Sequence, residues 1–255
     1  MNKWNVLYIP MTGVNHQKMN QPCEDIISGV VTDHFACIVC ADGAGTAKYA
    51  KEGAEVVVNT AKEWLTDYGE TLFFENTQTV KEKILEEVQW NLQLKAQEKE
   101  CDTDELAATF MFIASDGNHL MVANIGDGII GMIDNDNKAR VIMNAEKGRF
   151  VNETFFVTNN DAIDHFRVQC LNFNPNASYF LLTDGTTDCL YDKRNNSFAK
   201  MLFVFNDWLK RFDRRFVFDY IRRAMYSFFP YNTTDDCAIG FLLKKGGIND
   251  SPDPE

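Results

Sequence analysis

Residues 106–133 read LAATFMFIASDGNHLMVANIGDGIIGMI, and this stretch decides the fold. Three apolar runs, residues 106–114, 120–125 and 128–133, follow one another with no room between them for a helix. Ser115-Asp116-Gly117-Asn118 carries the residue types of a tight hairpin turn, and Gly126-Asp127-Gly128 permits a sharp bend. Successive strands joined so tightly break any strict strand–helix alternation. A doubly wound parallel sheet is thereby disfavoured.

On the N-terminal side, Ala47, Ala50, Ala54, Val57, Ala61, Trp64 and Tyr68 recur at steps of three and four, which predicts an amphipathic helix ending near Gly69. A second helix is predicted over 78–98, with Val80, Ile84, Val88 and Leu92 on one stripe. Before them, residues 4–9 read as an edge strand, 12–24 as a loop and 25–32 as a short strand. The run 35–40 is apolar on both faces and suits a strand buried between layers. On the C-terminal side, 144–164 is polar and aromatic without a period and reads as a mobile segment. Strands follow at 179–183 and 237–243, with helix over much of 198–229. Residues 244–255 read as a disordered tail. Two packed sheets with helices on their outer faces fit this order best.

The chain has 255 residues, 45% of them hydrophobic, and no Pro-, Gly- or Ser-rich linker, so one domain over residues 1–243 is expected. A net charge of −12 repels nucleic-acid backbones and anionic membranes. No run approaches the length of a membrane span. Seven scattered cysteines, an odd number, read as reduced thiols of a soluble cytoplasmic protein. Cys37 and Cys40 have CxxC spacing, but residues three apart on a strand face opposite ways, which argues against zinc. The run DNDNK at 134–138 lacks the glycine and closing glutamate of an EF-hand and reads as a solvated hairpin tip.

Four of the predicted strands begin or end on acids: Asp42 after 36–40, Asp127 after 120–125, Asp184 after 179–182, and Asp235 or Asp236 before 237–243. Each alone is an ordinary turn or cap residue. Together they place carboxylates from distant sequence at sheet rims, where hard divalent cations are held.

Read in order, with the pair Glu24-Asp25, the motifs are CEDII, CADGAG, ANIGDG, LLTDGTTD and TTDDCAI. This order resembles the metal-dependent type 2C protein phosphatases, in a bacterial-type subgroup, over residues about 4–243. The resemblance implies an α+β fold, a four-layer α-β-β-α sandwich with two central antiparallel sheets. It implies two Mn2+ or Mg2+ ions, with a third in some bacterial members. Carried over residue by residue, Asp42 would bridge both metals and Gly43 would offer its carbonyl. Asp184 and Asp235, or the adjacent Asp236, would hold one metal, and Glu24 and Asp25 would hold the other or orient its waters. Asp127 matches the position of the additional metal, and Asp188 matches the acid after the TDG segment.

The family's phosphate-binding Arg, four residues before the acid pair, is replaced by Asn20. His16 and Lys18 in the same loop are the candidates for gripping phosphate, and Lys147 to Thr158 is a candidate flap. The implied catalytic set is Asp42, Asp25 and His16. The implied activity is hydrolysis of phosphoserine and phosphothreonine in a protein substrate, by a water bridging two cations, on a monomer. A weakly active module that binds a phosphorylated partner, and a hydrolase of small phosphate esters, are the alternatives. A cysteine-based phosphatase loop is absent, because the Arg after Cys189 stands at 194, one place short of C-x5-R.

Overall fold

A computed structural model of the chain describes residues 4–145 and 154–244. In chain order the elements are β1 (Trp4–Met11), α1 (Val14–Met19), β2 (Asp25–Val31), β3 (Ala36–Asp42), α2 (Ala50–Tyr68) and α3 (Thr77–Lys99). The hairpins β4 (Phe110–Ser115), β5 (His119–Ile125), β6 (Ile129–Ile133) and β7 (Ala139–Met143) follow. Next come α4 (Ala162–His165), β8 (Arg167–Asn172), β9 (Ser178–Leu182), α5 (Asp184–Leu190), and the short strands β10 (Tyr191–Asp192) and β11 (Ser197–Phe198). The chain closes with α6 (Lys200–Arg211), α7 (Arg214–Phe228) and β12 (Cys237–Lys244).

Two five-stranded sheets result, ordered β1-β12-β9-β6-β7 and β2-β3-β4-β5-β8, with every pairing antiparallel. β1 sits at an edge, as its loose alternation predicts. The run 106–133 becomes the β4-β5 hairpin followed by a crossing, through Gly126 at φ +124°, into the other sheet as β6. Side-chain alternation then builds four layers. Ala36, Ile38 and Cys40 of β3 meet Ala238 and Leu242 of β12 between the sheets. Cys37, Val39 and Ala41 face the opposite way, into α2 and α3. Ile239, Phe241 and Leu243 face α6 and α7. The fold is thus an α-β-β-α sandwich of the α+β class. Both apolar faces of β3 are explained, and the two CxxC cysteines lie in different layers.

Several predicted bounds shift. The expected loop 12–24 contains helix α1, which has no buried residue and therefore no hydrophobic stripe to betray it. The predicted start of α2 moves to Ala50, since residues 45–49 form a turn. Of the predicted strand 106–114 only residues 110–114 are strand, within β4 (Phe110–Ser115), and Thr103–Leu106 is a 3₁₀ turn. Within 144–164, residues 154–164 are placed, with α4 starting at Ala162. Residues 146–153 lie outside the described residues, as does the expected tail beyond Lys244. β8 was not predicted, because this edge strand exposes most of its residues. Among the described residues, no helix is long and apolar enough to cross a membrane.

Candidate metal and phosphate site

Strand register explains why the acids meet. Asp25, first in β2, pairs with Asp42, last in β3. In the other sheet, Leu182 at the end of β9 pairs with both Ile239 of β12 and Ile129 of β6. Asp184, Asp235 and Asp127 therefore emerge at one end of the sandwich, beside the Asp25–Asp42 pair. Side-chain oxygens of Asp42, Asp127 and Asp184 all come within 4.8 Å of one another. They open into a cleft of about 220 Å³ that is also lined by His16, Glu24, Gly43, Gly45, Thr109, Thr154, Phe156, Asp235 and Asp236.

Hydrogen bonds hold the acids in place. Asp25, 1% exposed, accepts from Thr183 Oγ1 at 2.7 Å through Oδ2, which ties the two sheets together. The Asp42 N–H donates to Thr109 Oγ1 at 2.9 Å, and Asp184 Oδ1 accepts the N–H of Gly185 at 2.6 Å. Asp25 Oδ1 and Asp127 Oδ1 are buried and have no donor among the described residues. Buried acceptors without donors are costly in isolation and suit a cation. An all-oxygen set of this kind fits a hard divalent ion such as Mg2+ or Mn2+.

Crowding shows in the electrostatics. Burial pushes Asp42 well above the usual carboxylate range, helped by the charges of Asp25, Asp184 and Asp127. Burial, then the charges of Asp127 and Asp235, lifts Asp184 to about 7. Asp25 is raised by burial in the same way, against the opposing hydrogen bond from Thr183. Like charges this close favour protonation unless a cation sits among them.

The remaining candidates separate. His16 faces the cleft, with Nδ1 2.9 Å from Asp236 Oδ2 and Nε2 3.9 Å from Glu24 Oε2. Asp236 is 3% exposed, and its oxygens also accept the backbone N–H groups of Gly13 at 2.6 Å and Glu24 at 2.5 Å. Asp235 stands exposed at the mouth of the cleft. Lys18 is exposed on α1 and does not line the cleft, and Asn20 is the exposed left-handed cap of that helix. Asp188 lies on α5 outside the cleft, 3.3 Å from Lys193 Nζ. Of the candidate flap, residues 154–158 are placed; Phe156 lines the cleft, and Thr154 Oγ1 donates to Asp127 Oδ2 at 2.7 Å.

Thr109, Thr183 and Gly13 join the site as supports that the motif reading did not single out. Thr183 carried a signal, since it precedes the acid of its TDG segment. Thr109 lies in an apolar run and carried none.

The protein phosphatase 2C family model matches residues 12–218. Serine/threonine-protein phosphatase 3 of Escherichia coli (strain K12) is 23% identical over 165 residues, covering 63% of this chain. The match spans 65% of that relative's length, just under two thirds. Among solved structures, a bacterial serine phosphatase superposes with a TM-score of 0.68 at 16% identity, covering 95% of this chain and 98% of its own. The S. agalactiae serine/threonine phosphatase gives 0.66 at 13% identity, covering 94% and 99%. The catalytic domain of the serine threonine protein phosphatase PstP, in complex with two manganese ions, gives 0.64 at 14% identity, covering 95% and 99%. The structural likenesses show the fold. With the family model matching residues 12–218, most of the sequence, this chain belongs to the protein phosphatase 2C family.

Proposed function

We propose that the chain hydrolyses phosphoserine and phosphothreonine monoesters on protein substrates, using Mn2+ or Mg2+ held by the cleft acids. The observation that carries this reading is the convergence of Asp42, Asp127 and Asp184, with a donorless oxygen on Asp127. When bound, divalent cations at such a site supply a water acidic enough to attack phosphorus near neutral pH and offset charge on the phosphoryl oxygens. Asp42, the Gly43 carbonyl, Asp184, Asp235, Glu24 and Asp25 would hold the ions, and Asp127 would serve an additional one. Asp235 is favoured over Asp236 as ligand, because protein donors already engage both Asp236 oxygens.

His16 takes the phosphate-gripping place left by the replaced Arg. Asp236 engages its Nδ1, which leaves Nε2 for a phosphoryl oxygen. Lys18 is not part of this grip. Seven free cysteines support a reducing, cytoplasmic location.

The test is turnover of an aryl phosphate with Mn2+, with and without chelator, in wild type and Asp42→Asn. Metal-dependent turnover that the substitution reduces at least a hundredfold supports the reading. No turnover at any metal concentration points instead to a module that binds phosphorylated partners. Phosphopeptides assayed beside the aryl ester separate a protein phosphatase from a small-ester hydrolase.

A further inference from the structure

Helix α7 carries two apolar stripes where covering a sheet needs one. Val217, Ile221 and Met225 are buried against the β1 sheet. On a second line, Phe212, just before the helix, Phe216 and Tyr220 follow at steps of four and are 58%, 69% and 59% exposed. They wall a groove of about 590 Å³ with Trp208, Arg211 and Asp213, and the Trp208 and Tyr220 rings meet edge to face at 6.0 Å.

Charge singles out the same face. Residues 200–231 hold seven Lys or Arg against three Asp, in a chain whose net charge is −12. Arg211 and Arg215 are mostly exposed, and their ion pairs with Asp207 and Asp213 are short-range surface contacts of little strength. The groove is thus an aromatic strip, with Arg211 and Asp213 in its wall, set in a helical layer whose residues 200–231 are net positive on an acidic molecule. It is also remote from the cleft: α7 is fastened to β1 by Arg214 Nη1 donating to Val6 O at 3.0 Å, whereas the cleft begins past Met11. About six residues of strand separate them, or ~20 Å.

We propose that the α6–α7 groove docks an acidic peptide segment of a partner protein that carries an aromatic or aliphatic anchor. Charge complementarity selects this occupant: its carboxylates meet the net positive α6–α7 layer, Arg211 in the groove wall and Arg215 beside Asp213, while the anchor enters between Phe212, Phe216 and Tyr220. A concave aromatic groove accepts a side chain better than a flat bilayer does. The inference does not depend on the cleft's chemistry.

The probe is fluorescein-labelled dephosphorylated β-casein, an acidic chain with apolar side chains and no phosphate for the cleft, followed by anisotropy. Binding by wild type that weakens at least tenfold in R211E/R215E and in F216S/Y220S, and weakens with added salt, is the expected result. All these side chains are surface residues, and circular dichroism checks the fold. Aryl phosphate turnover should stay within twofold in both variants. Equal affinity in wild type and variants overturns the proposal. So does binding to phosphatidylglycerol vesicles without casein binding, a dimer that the same substitutions dissociate without casein binding, or casein binding that appears only once residues 245–255 are removed. Loss of metal-dependent turnover with casein binding intact would instead strike only the proposed phosphatase activity.

Discussion

His16 Nδ1 lies 2.9 Å from Asp236 Oδ2, and the same carboxylate caps the backbone N–H groups of Gly13 and Glu24. One buried acid therefore joins the entry to α1, the lead into β2 and the start of β12. Burial pushes the His16 imidazole down, yet its hydrogen bond to Asp236 and the charges of Asp236, Glu24 and Asp235 outweigh this and leave it raised.

Replacing Asp236 by Asn should accordingly lower the His16 pKa, read by NMR titration of the imidazole. The folded-state pKa is raised, so the pair's contribution is full below the unfolded value and fades as pH climbs through the folded one. Asp236→Ala strands two buried N–H donors and should cost ~2–4 kcal/mol in denaturant unfolding. An unchanged His16 titration in Asp236→Asn would remove Asp236 as the group that holds it.

The crowded acids set a pH dependence of opposite origin. Asp184 is lifted from its ordinary 3.8 to about 7, so the folded metal-free protein holds a proton there that the unfolded chain has released. Stability should then fall as pH rises from about 4 to 7, by at most ~4 kcal/mol for this group. Thermal melts in EDTA at pH 5.5, 6.5 and 8 read this directly. Added Mn2+ or Mg2+ should raise Tm more at pH 8 than at 5.5, since protonated carboxylates must lose their protons to bind. A flat metal-free profile, or a metal effect largest at low pH, would contradict the crowding.

The layers and the acid convergence were legible because both follow from period. The double-sided apolarity of β3 required cover on two faces, and acids flanking antiparallel strands must share a rim when the strands pair in register. What escaped had no such imprint. α1 buries nothing, β8 is largely exposed, and the choice between Asp235 and Asp236 depends on which carboxylate the N–H groups of Gly13 and Glu24 reach. Lys18 stood beside the favoured His16 as a candidate in sequence, but it does not line the cleft that His16 lines.

Two glycines separate packing from site geometry. A Cβ on Gly53 of α2 would stand 2.0 Å from Leu106 O, and one on Gly185 of α5 would stand 2.1 Å from Asp236 O and 3.3 Å from Asp235 Cβ. Both contacts involve backbone that cannot step aside cheaply. Each Ala substitution should cost ~1–3 kcal/mol of stability. Only Gly185→Ala should also weaken the metal dependence of Tm, because it displaces the β12 start that carries Asp235. Equal metal responses in the two variants would show that Asp235 does not depend on this contact.

Thr154 offers the finest probe of Asp127. Its hydroxyl donates to Oδ2 at 2.7 Å while Oδ1 has no donor among the described residues, so the bond fixes the carboxylate that stands with Asp42 and Asp184 and leaves one oxygen free. Groups that orient a ligand in this way typically tune metal affinity tenfold or more without changing the fold. Thr154→Val keeps the shape and removes the hydroxyl. It should raise the Mn2+ concentration for half-maximal aryl phosphate turnover by ~10-fold while altering stability by less than ~1 kcal/mol. Thr154→Ser restores the donor and should restore the metal response. If Thr154 serves only to fasten its own segment, Thr154→Val will lower Tm and leave the metal titration where it was.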